Sequence, residues 1–109
     1  MIYYGASNGL IKIGYTESQL QQRTTAHRAT RPDYIVLAAR DGDMAEEHRT
    51  HRMFCHLRVD GELEWFHPGP DLLAHLCVVA RGDYRPPVEI PIALAERRPE
   101  MALPADIDF

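Results

Sequence analysis

The first 15 residues most constrain how this chain can fold, because two short apolar strings flank a turn. Residues 2–4 and 10–15 are rich in β-branched and aromatic side chains, and Asn8-Gly9 lies in the loop between them. Asn-Gly is the dipeptide that most strongly favours a tight hairpin. We therefore predict two antiparallel strands that bring the two strings side by side.

Apolar periodicity and capping residues predict three helices and two further strands. In chain order these are a helix over residues 17–29, a strand over 34–39, a helix over 44–57, an extended piece over 64–67 and a helix over 72–80. Thr16 and Asp43 are the predicted N-caps of the first two helices, and residues 34–39 are predicted to form a buried strand. The order predicts one α/β domain over residues 1–82, a small and largely antiparallel sheet of three to four strands flanked by helices.

Composition limits the class of protein. The chain of 109 residues is 45% hydrophobic, which is enough for one modest core. It has no apolar run of about 18 residues and no basic-then-apolar leader, so we expect no membrane span, no signal peptide and a cytoplasmic location. Cys55 and Cys77 form no motif, and we expect reduced thiols packed as small apolar groups.

Charge is distributed unevenly along a chain whose net charge is −4. Residues 12–58 carry eight positive groups and six acids, whereas residues 59–109 carry four positive groups and ten acids. This segregation permits local contact with nucleic acid without itself indicating such contact. Residues 83–109 contain five prolines and few large apolar groups, and we predict that they form an extended, partly disordered, acidic tail.

A cluster of polar side chains is predicted beside the hairpin. Arg23 and His27 are four residues apart on the first predicted helix, so they share one helix face. The hairpin adds the phenol of Tyr3 and the amine of Lys12. A phenol, an amine, a guanidinium and an imidazole on one small surface are the groups that handle a phosphate.

These strings resemble the front half of a GIY-YIG nuclease domain. Residues 2–4 match its first motif, and residues 12–14 match its second. Residues 47–54, followed by residues 61–66, are similar to the pattern E-x-x-x-H-x-x-F … G-E-W-F of the phage-associated T5orf172 / MUG113-like branch. The resemblance spans roughly residues 1–80 and implies a GIY-YIG-like fold.

The resemblance also implies an activity and a set of site residues. The activity is hydrolysis of phosphodiester bonds in DNA, with RNA not excluded, by a homodimer or with a protein partner that supplies specificity. The implied catalytic residues are Tyr3, Lys12, Arg23, His27 and Glu47, with Glu47 also the ligand of a single Mg²⁺ or Mn²⁺ ion. Tyr15 and His51 are candidate supporting residues, and for His51 a helix-anchoring role is favoured over metal ligation.

Departures from the family pattern leave some assignments open. Met1 stands where the first motif has glycine, and Lys12 stands where the wider superfamily has a tyrosine. A lysine there would hold a phosphate, lower the pKa of the first-motif tyrosine, or carry a proton. The second-helix carboxylate is Glu47 or its neighbour Glu46, with Glu47 preferred for its spacing. The fourth motif admits two glutamates, of which Glu64, next to the tryptophan, fits better.

Structural roles are predicted for other motif residues. Trp65 and Phe66 are predicted to fill the core beneath the third helix. Gly14 is predicted to permit a close backbone approach or a bend at the end of its strand.

Two different classes of protein remain as alternatives. The same scaffold suits a catalytically inactive nucleic-acid-binding or protein-interaction module, such as a phage accessory or inhibitor, and the acidity of residues 59–109 favours it. A structural zinc site would use two or three side chains of the second helix, from among His48, His51, Cys55 and His56. No second cluster completes its ligand set, which makes zinc the weakest of the three interpretations.

Overall fold

The computed structural model describes residues 1–86 as a four-stranded antiparallel sheet with three α-helices. The elements are β1 (Ile2–Ser7), β2 (Leu10–Tyr15), α1 (Leu20–Thr30), β3 (Ile35–Arg40), α2 (Met44–Met53), β4 (Trp65–Phe66) and α3 (Pro70–Ala80). The strand order is β3-β1-β2-β4, and each neighbouring pair is antiparallel. The predicted fold class is confirmed. Most of the predicted tail, residues 87–109, lies outside the described residues.

The β1–β2 hairpin is the predicted one and decides which side chains share a face. Asn8 and Gly9 have φ values of 53° and 76°, so both central residues of the turn are left-handed, as a type I′ turn requires. The register places Tyr3 opposite Gly14 and Gly5 opposite Lys12. Because side chains alternate along a strand, these four residues lie on one face of the sheet, here called the polar face.

The opposite face, here called the apolar face, carries the core. Its buried side chains come from all parts of the domain and are Ile2, Tyr4, Ile11, Ile13, Phe54, Phe66, Leu72, Leu76 and Val79. Helix α3 supplies the last three of these, whereas Leu73 of the same helix is 44% exposed. Burying these groups is the main favourable term in folding a domain of this size.

A network of paired polar groups surrounds Tyr4 on the apolar face. The hydroxyl of Tyr4 lies 2.7 Å from Nε2 of His75 and accepts from Nε of Arg40 at 3.2 Å. Arg40 also pairs with Glu46 at 2.7 Å, and its guanidinium lies 4.5 Å from the centre of the Tyr84 ring. Burial lowers the pKa of His75 to about 4. Contacts of the domain thus continue past residue 82, into the start of the predicted tail.

The start of α1 differs from the prediction. The hydroxyl of Thr16 accepts from the backbone N–H of Ser18 at 3.1 Å, so it closes a local turn instead of capping a helix. The helix begins four residues later at Leu20, with Gln19 at the N-cap position and no side-chain cap.

The second helix begins as predicted and ends early. Asp43 accepts from the backbone N–H of Glu46 at 2.9 Å, which confirms it as the N-cap. The helix ends at Met53 and not near residue 57, because the chain turns at the buried Phe54 into a short 3₁₀ segment, Cys55–Leu57.

The prediction of a buried third strand is wrong. β3 pairs only with β1 and forms one edge of the sheet, where Ile35 is 51% exposed and Leu37 is 39% exposed. A short apolar run does not distinguish a central strand from an edge strand. Both cysteines, Cys55 and Cys77, are free but exposed, so their predicted packing as small apolar groups is also wrong.

Candidate functional site

Helix α1 lies over the polar face and covers Tyr3. Nε2 of His27 lies 2.9 Å from the hydroxyl of Tyr3, which joins the helix to β1. At the C-terminal end of the helix, the guanidinium of Arg31 lies 4.1 Å from the centre of the Trp65 ring on β4. The predicted adjacency of the helix and the hairpin therefore holds, with His27 facing the sheet.

Gly14 makes the space that Tyr3 occupies. Tyr3 is fully buried, and a Cβ atom built on Gly14 would lie 2.5 Å from Cζ and 2.6 Å from the hydroxyl of its ring. Any larger residue at position 14 would displace the phenol. The close approach predicted for Gly14 is confirmed, and the approaching group is a side chain rather than a backbone.

Burial controls the protonation of the Tyr3–His27 pair. It raises the pKa of Tyr3 above its ordinary value, and the guanidinium of Arg23 opposes that rise. Burial, with the charges of Lys12 and Arg23, lowers the pKa of His27. At neutral pH the pair is therefore a neutral phenol beside a neutral imidazole, so the phenol can donate its proton to the ring nitrogen.

Lys12 forms an ion pair with Glu64, a residue that was not among the predicted catalytic residues. Its ammonium lies 2.6 Å from Oε1 of Glu64. The side chain of Lys12 is 9% exposed and that of Glu64 is 41% exposed, so the pair lies at the rim of the polar face. The ammonium also lies 5.5 Å from the centre of the Trp65 ring. Arg23, and not Lys12, is the cation that lowers the pKa of Tyr3.

Glu47 is buried on the inner side of α2. Its two carboxylate oxygens lie 3.8 Å from Nε2 of His48 and of His51, beyond hydrogen-bond distance. Burial raises the pKa of Glu47, and the charge of Glu64 adds to that rise, whereas His51 and Lys12 oppose it. A buried carboxylate without a close cation is costly, so this position favours a positive partner.

The structure brings the predicted catalytic residues together. The hydroxyl of Tyr3 lies 2.9 Å from Nε2 of His27, and the charges of Lys12, Arg23 and Glu47 each shift the pKa of Tyr3, of His27 or of both. The charge of Glu64 acts on Tyr3, His27 and Glu47. We use the term phosphate cluster for the six residues Tyr3, Lys12, Arg23, His27, Glu47 and Glu64. Arg23 borders a shallow depression of about 320 Å³. A larger cavity of about 500 Å³ is lined by Arg40 and Tyr84 on another part of the surface.

The structure distinguishes between the two glutamates that each of these motifs offers. Glu46 is bound to Arg40, whereas Glu47 faces the phosphate cluster. Glu62 lies 4.0 Å from Arg31 at the surface, whereas Glu64 is bound to Lys12. The preferred member of each pair is thus the one near the cluster. The sequence signal for Glu64 was its place beside the tryptophan.

The candidate supporting residues have different surroundings. Tyr15 packs against the core of the apolar face, although it also borders the depression beside Arg23. Nε2 of His51 lies 2.8 Å from the carbonyl oxygen of Ile13, which anchors α2 to β2, so the favoured anchoring role is confirmed.

The proposed zinc ligands lie apart from one another. His51 is directed to a β2 carbonyl, and His56 pairs with Asp71 at 2.8 Å. Cys55 is exposed. Among residues 1–86, no three histidine, cysteine or acidic side chains form a group that could hold a metal ion.

Trp65 and Tyr34 both belong to the polar face. Trp65 is buried, as predicted, but it is opposite Lys12 in the sheet and so does not lie beneath the third helix, whereas Phe66 lies in the core with that helix. The Tyr34 ring lies 4.9 Å from the His27 ring and against Gly5. Its hydroxyl is buried without a hydrogen-bond partner in the described part of the chain, and burial raises its pKa to about 12. No sequence motif pointed to Tyr34.

Comparisons with models of known families, with curated proteins and with solved structures found no match. Over residues 1–86, no helix is both long enough and apolar enough to cross a membrane. A function is therefore inferred from the chemistry of the phosphate cluster.

Proposed function

We propose that the protein is a metal-dependent endonuclease that hydrolyses phosphodiester bonds in DNA through a single-metal site. In this proposal it belongs to the T5orf172 / MUG113-like branch of the GIY-YIG superfamily and acts in the cytoplasm of a bacterial or phage-infected cell. One observation carries the proposal: Tyr3 on the polar face lies 2.9 Å from His27 of α1, and the charges of Lys12, Arg23 and Glu47 act on this pair.

Glu47 is the residue that would hold Mg²⁺ or Mn²⁺. It is a buried carboxylate with a raised pKa, and within residues 1–86 no cation lies within hydrogen-bond distance of it. This fits a hard cation that keeps most of its waters and takes one or two carboxylates. When bound, such an ion polarises the phosphate and acidifies water. Glu64 adds a second carboxylate nearby, held by Lys12.

Tyr3 and His27 supply a route for the proton of the attacking water. The neutral imidazole lies 2.9 Å from the phenol, so it can accept the phenolic proton as the phenol takes one from water. Burial by α1 and the space at Gly14 fix the phenol in position. In this arrangement His27 is the final acceptor of the proton. The second-motif tyrosine, which is replaced by Lys12 in this chain, is not needed.

Arg23 and Lys12 supply positive charge for the scissile phosphate. Arg23 is exposed on α1 beside Tyr3, where its planar fork suits two phosphate oxygens. The ammonium of Lys12 is bound to Glu64 in the free protein, so a phosphate would share or displace that contact. The shallow, open surface at Arg23 suits a polymer better than a small metabolite.

An inactive module that binds nucleic acid or protein is the second candidate. The observation in its favour is the Lys12–Glu64 pair, which neutralises the cation that replaces the second-motif tyrosine. The nuclease would cleave DNA and the inactive module would not, so one cleavage experiment separates the two candidates.

The test is nicking of supercoiled plasmid DNA with Mg²⁺ or Mn²⁺. The wild-type protein should convert supercoiled to open-circular DNA, and EDTA should stop the conversion. Arg23→Ala and Glu47→Gln should each reduce the rate at least about 100-fold, because each removes charge stabilisation of the transition state. Glu62→Gln, which removes an exposed carboxylate, should keep the wild-type rate. Absence of cleavage by wild type on DNA and RNA would favour the inactive module.

A further inference from the structure

The outer edge of β3 is open in the described part of the chain. Strand β3 pairs with β1 on one side and, within residues 1–86, with no strand on the other. Alternate residues of an edge strand direct their backbone N–H and C=O groups away from the sheet, where another strand can bind them. Residues 35–39 contain no charged residue and no proline, and a bulge at Leu37 is the only irregularity in their pairing. Such an uncharged run is typical of an internal strand.

Apolar surface is exposed along the same edge. No residue of β3 is fully buried, whereas most residues of β1 and β2 are. Ile35 and Leu37 are the most exposed members of the strand. A further strand would cover both side chains and pair the free backbone groups. The edge therefore suits an extended, apolar segment.

The chain that follows α3 returns to one end of this edge. Tyr84 packs against the core, and its ring lies 4.5 Å from the guanidinium of Arg40, the last residue of β3. Pro86 lines the cavity of about 500 Å³ together with Ala39 and Arg40. The residue bonded to Pro86 therefore begins beside the C-terminal end of β3. A chain that runs back along the strand from this point is antiparallel to it.

The sequence of residues 88–94 has the pattern of an edge strand. The string Val-Glu-Ile-Pro-Ile-Ala-Leu has an apolar side chain at every even position, and the first three of these are β-branched. Seven residues of strand span about 23 Å at 3.3 Å per residue, enough to follow the six residues of β3.

Pro91 adds a constraint on how this string can pair. It has no backbone N–H, so within a sheet it fits the outermost strand, at a position where the N–H would face solvent. Backbone direction alternates along a strand, so the even residues are then the ones whose N–H and C=O groups face the sheet. The apolar alternation and the proline thus select the same set of residues.

We propose that residues 88–94 pair with the outer edge of β3 as a fifth, antiparallel strand of the sheet. The backbone groups of residues 88, 90 and 92 bond to β3, the position of Pro91 faces solvent, and the segment covers Ile35 and Leu37. The contact of Tyr84 with Arg40 holds the segment close to its edge, so pairing within the chain has a high effective concentration and is favoured over pairing with a second copy. This inference is independent of the proposed nuclease activity.

The test is amide hydrogen exchange of the full-length protein, measured residue by residue by NMR. In the wild type, the amides of residues 88, 90 and 92 should exchange at least about tenfold more slowly than in an unstructured chain, whereas those of residues 89 and 93 should exchange freely. The amides of β3 that face away from β1 should be protected as well. Protection at alternate residues distinguishes a strand from loose apolar contact.

A pair of proline variants tests the direction of the backbone. Ile90→Pro removes an N–H that faces β3, so it should abolish the protection of residues 88 and 92 and of the outer edge of β3. Glu89→Pro removes an N–H that faces solvent and is the matched control, which should keep that protection. Ile90→Ala keeps the N–H and separates the loss of the side chain from the loss of the hydrogen bond. Circular dichroism checks the folding of each variant.

Three results would overturn this proposal: free exchange throughout residues 88–94 of the wild type, protection of the odd residues, or protection that survives in Ile90→Pro. Protection of the β3 edge that rises with protein concentration and survives in Ile90→Pro would assign the edge to a second copy. If Ile90→Pro fails to fold, the alternation of protection in the wild type decides the matter.

Discussion

The contact between Tyr3 and Gly14 makes the position of one phenol depend on the absence of one methyl group. The two residues are paired across β1 and β2, and the ring lies over the position where a Cβ would project. The phenol then meets His27 from α1. Three elements thus fix one hydroxyl, which is the degree of preorganisation that proton transfer requires.

Gly14→Ala should therefore reduce plasmid nicking at least about 100-fold, by displacing the phenol. Its unfolding free energy should fall by about 1–3 kcal/mol, the usual cost of overpacking. Initial rates and urea denaturation measure the two effects. Tyr3→Phe should lose activity to a similar degree, and the double variant should be no less active than either single variant. Additive losses would show that Gly14 acts independently of Tyr3.

A second residue-level prediction concerns the Lys12–Glu64 pair. Glu64→Gln should lower the unfolding free energy by about 1–2 kcal/mol, because it leaves a nearly buried ammonium without its carboxylate. Lys12→Met combined with Glu64→Gln should restore most of that loss. The carboxylate of Glu62 lies at the surface, 4.0 Å from the guanidinium of Arg31, so Glu62→Gln should change the unfolding free energy by less than about 0.5 kcal/mol. Equal stability of the two glutamine variants would contradict this account.

At the scale of elements, a side chain of α2 anchors that helix to β2. Strand β4 has only two residues, and just outside its pairing with β2 the carbonyl oxygen of Ile13 lies 2.8 Å from Nε2 of His51. His51→Ala should lower the unfolding free energy by about 1–3 kcal/mol, because it leaves that carbonyl unpaired. His48→Ala, on the exposed side of the same helix, is the matched control and should be nearly neutral. Equal urea midpoints for the two variants would argue against this anchor.

The elements also show what the sequence could predict. The hairpin was predictable because Asn8-Gly9 and period-two apolar strings act locally. The position of β3 at the edge of the sheet was not predictable, because an apolar run has the same pattern at the edge of a sheet as at its centre. The start of α1 was misplaced because Thr16 had two local uses, a cap and a turn, and pattern alone does not choose between them.

For the candidate site, spacing predicted what lies on one helix or one hairpin. The shared face of Arg23 and His27 followed from helix periodicity, and Tyr3 followed from its match to the first motif. Tyr34 was missed because its approach to Gly5 and His27 depends on how the loop before β3 crosses the sheet. The pairing of Lys12 with Glu64 joins residues 52 positions apart, a separation at which local patterns carry no information.

At the scale of the whole molecule, stability should depend on pH through His75. Its pKa falls from about 6.5 in an unfolded chain to about 4 in the fold, where burial and Arg40 oppose its charge. The unfolded state binds more protons between these values, so this contribution is complete above pH 6.5 and lost progressively towards pH 4.

His75→Gln should therefore flatten the fall in unfolding free energy between pH 6.5 and pH 4. His67→Gln, at an exposed histidine, should follow the wild-type curve. Urea titrations at half-unit pH intervals provide the measurement. A wild-type slope that persists in His75→Gln would place the responsible group elsewhere.

Strand β1 gives alternate residues to two unrelated tasks, since Ile2 and Tyr4 build the core while Tyr3 and Gly5 lie beneath α1. A single-residue insertion in that strand would exchange the two sets, and a phenol and an isoleucine would trade environments. Substitutions can change one side chain of this strand at a time, whereas an insertion or deletion in the strand would move every following side chain to the other face. We expect a library of hairpin variants to retain folding after many point changes and to lose it with nearly every insertion between residues 2 and 7.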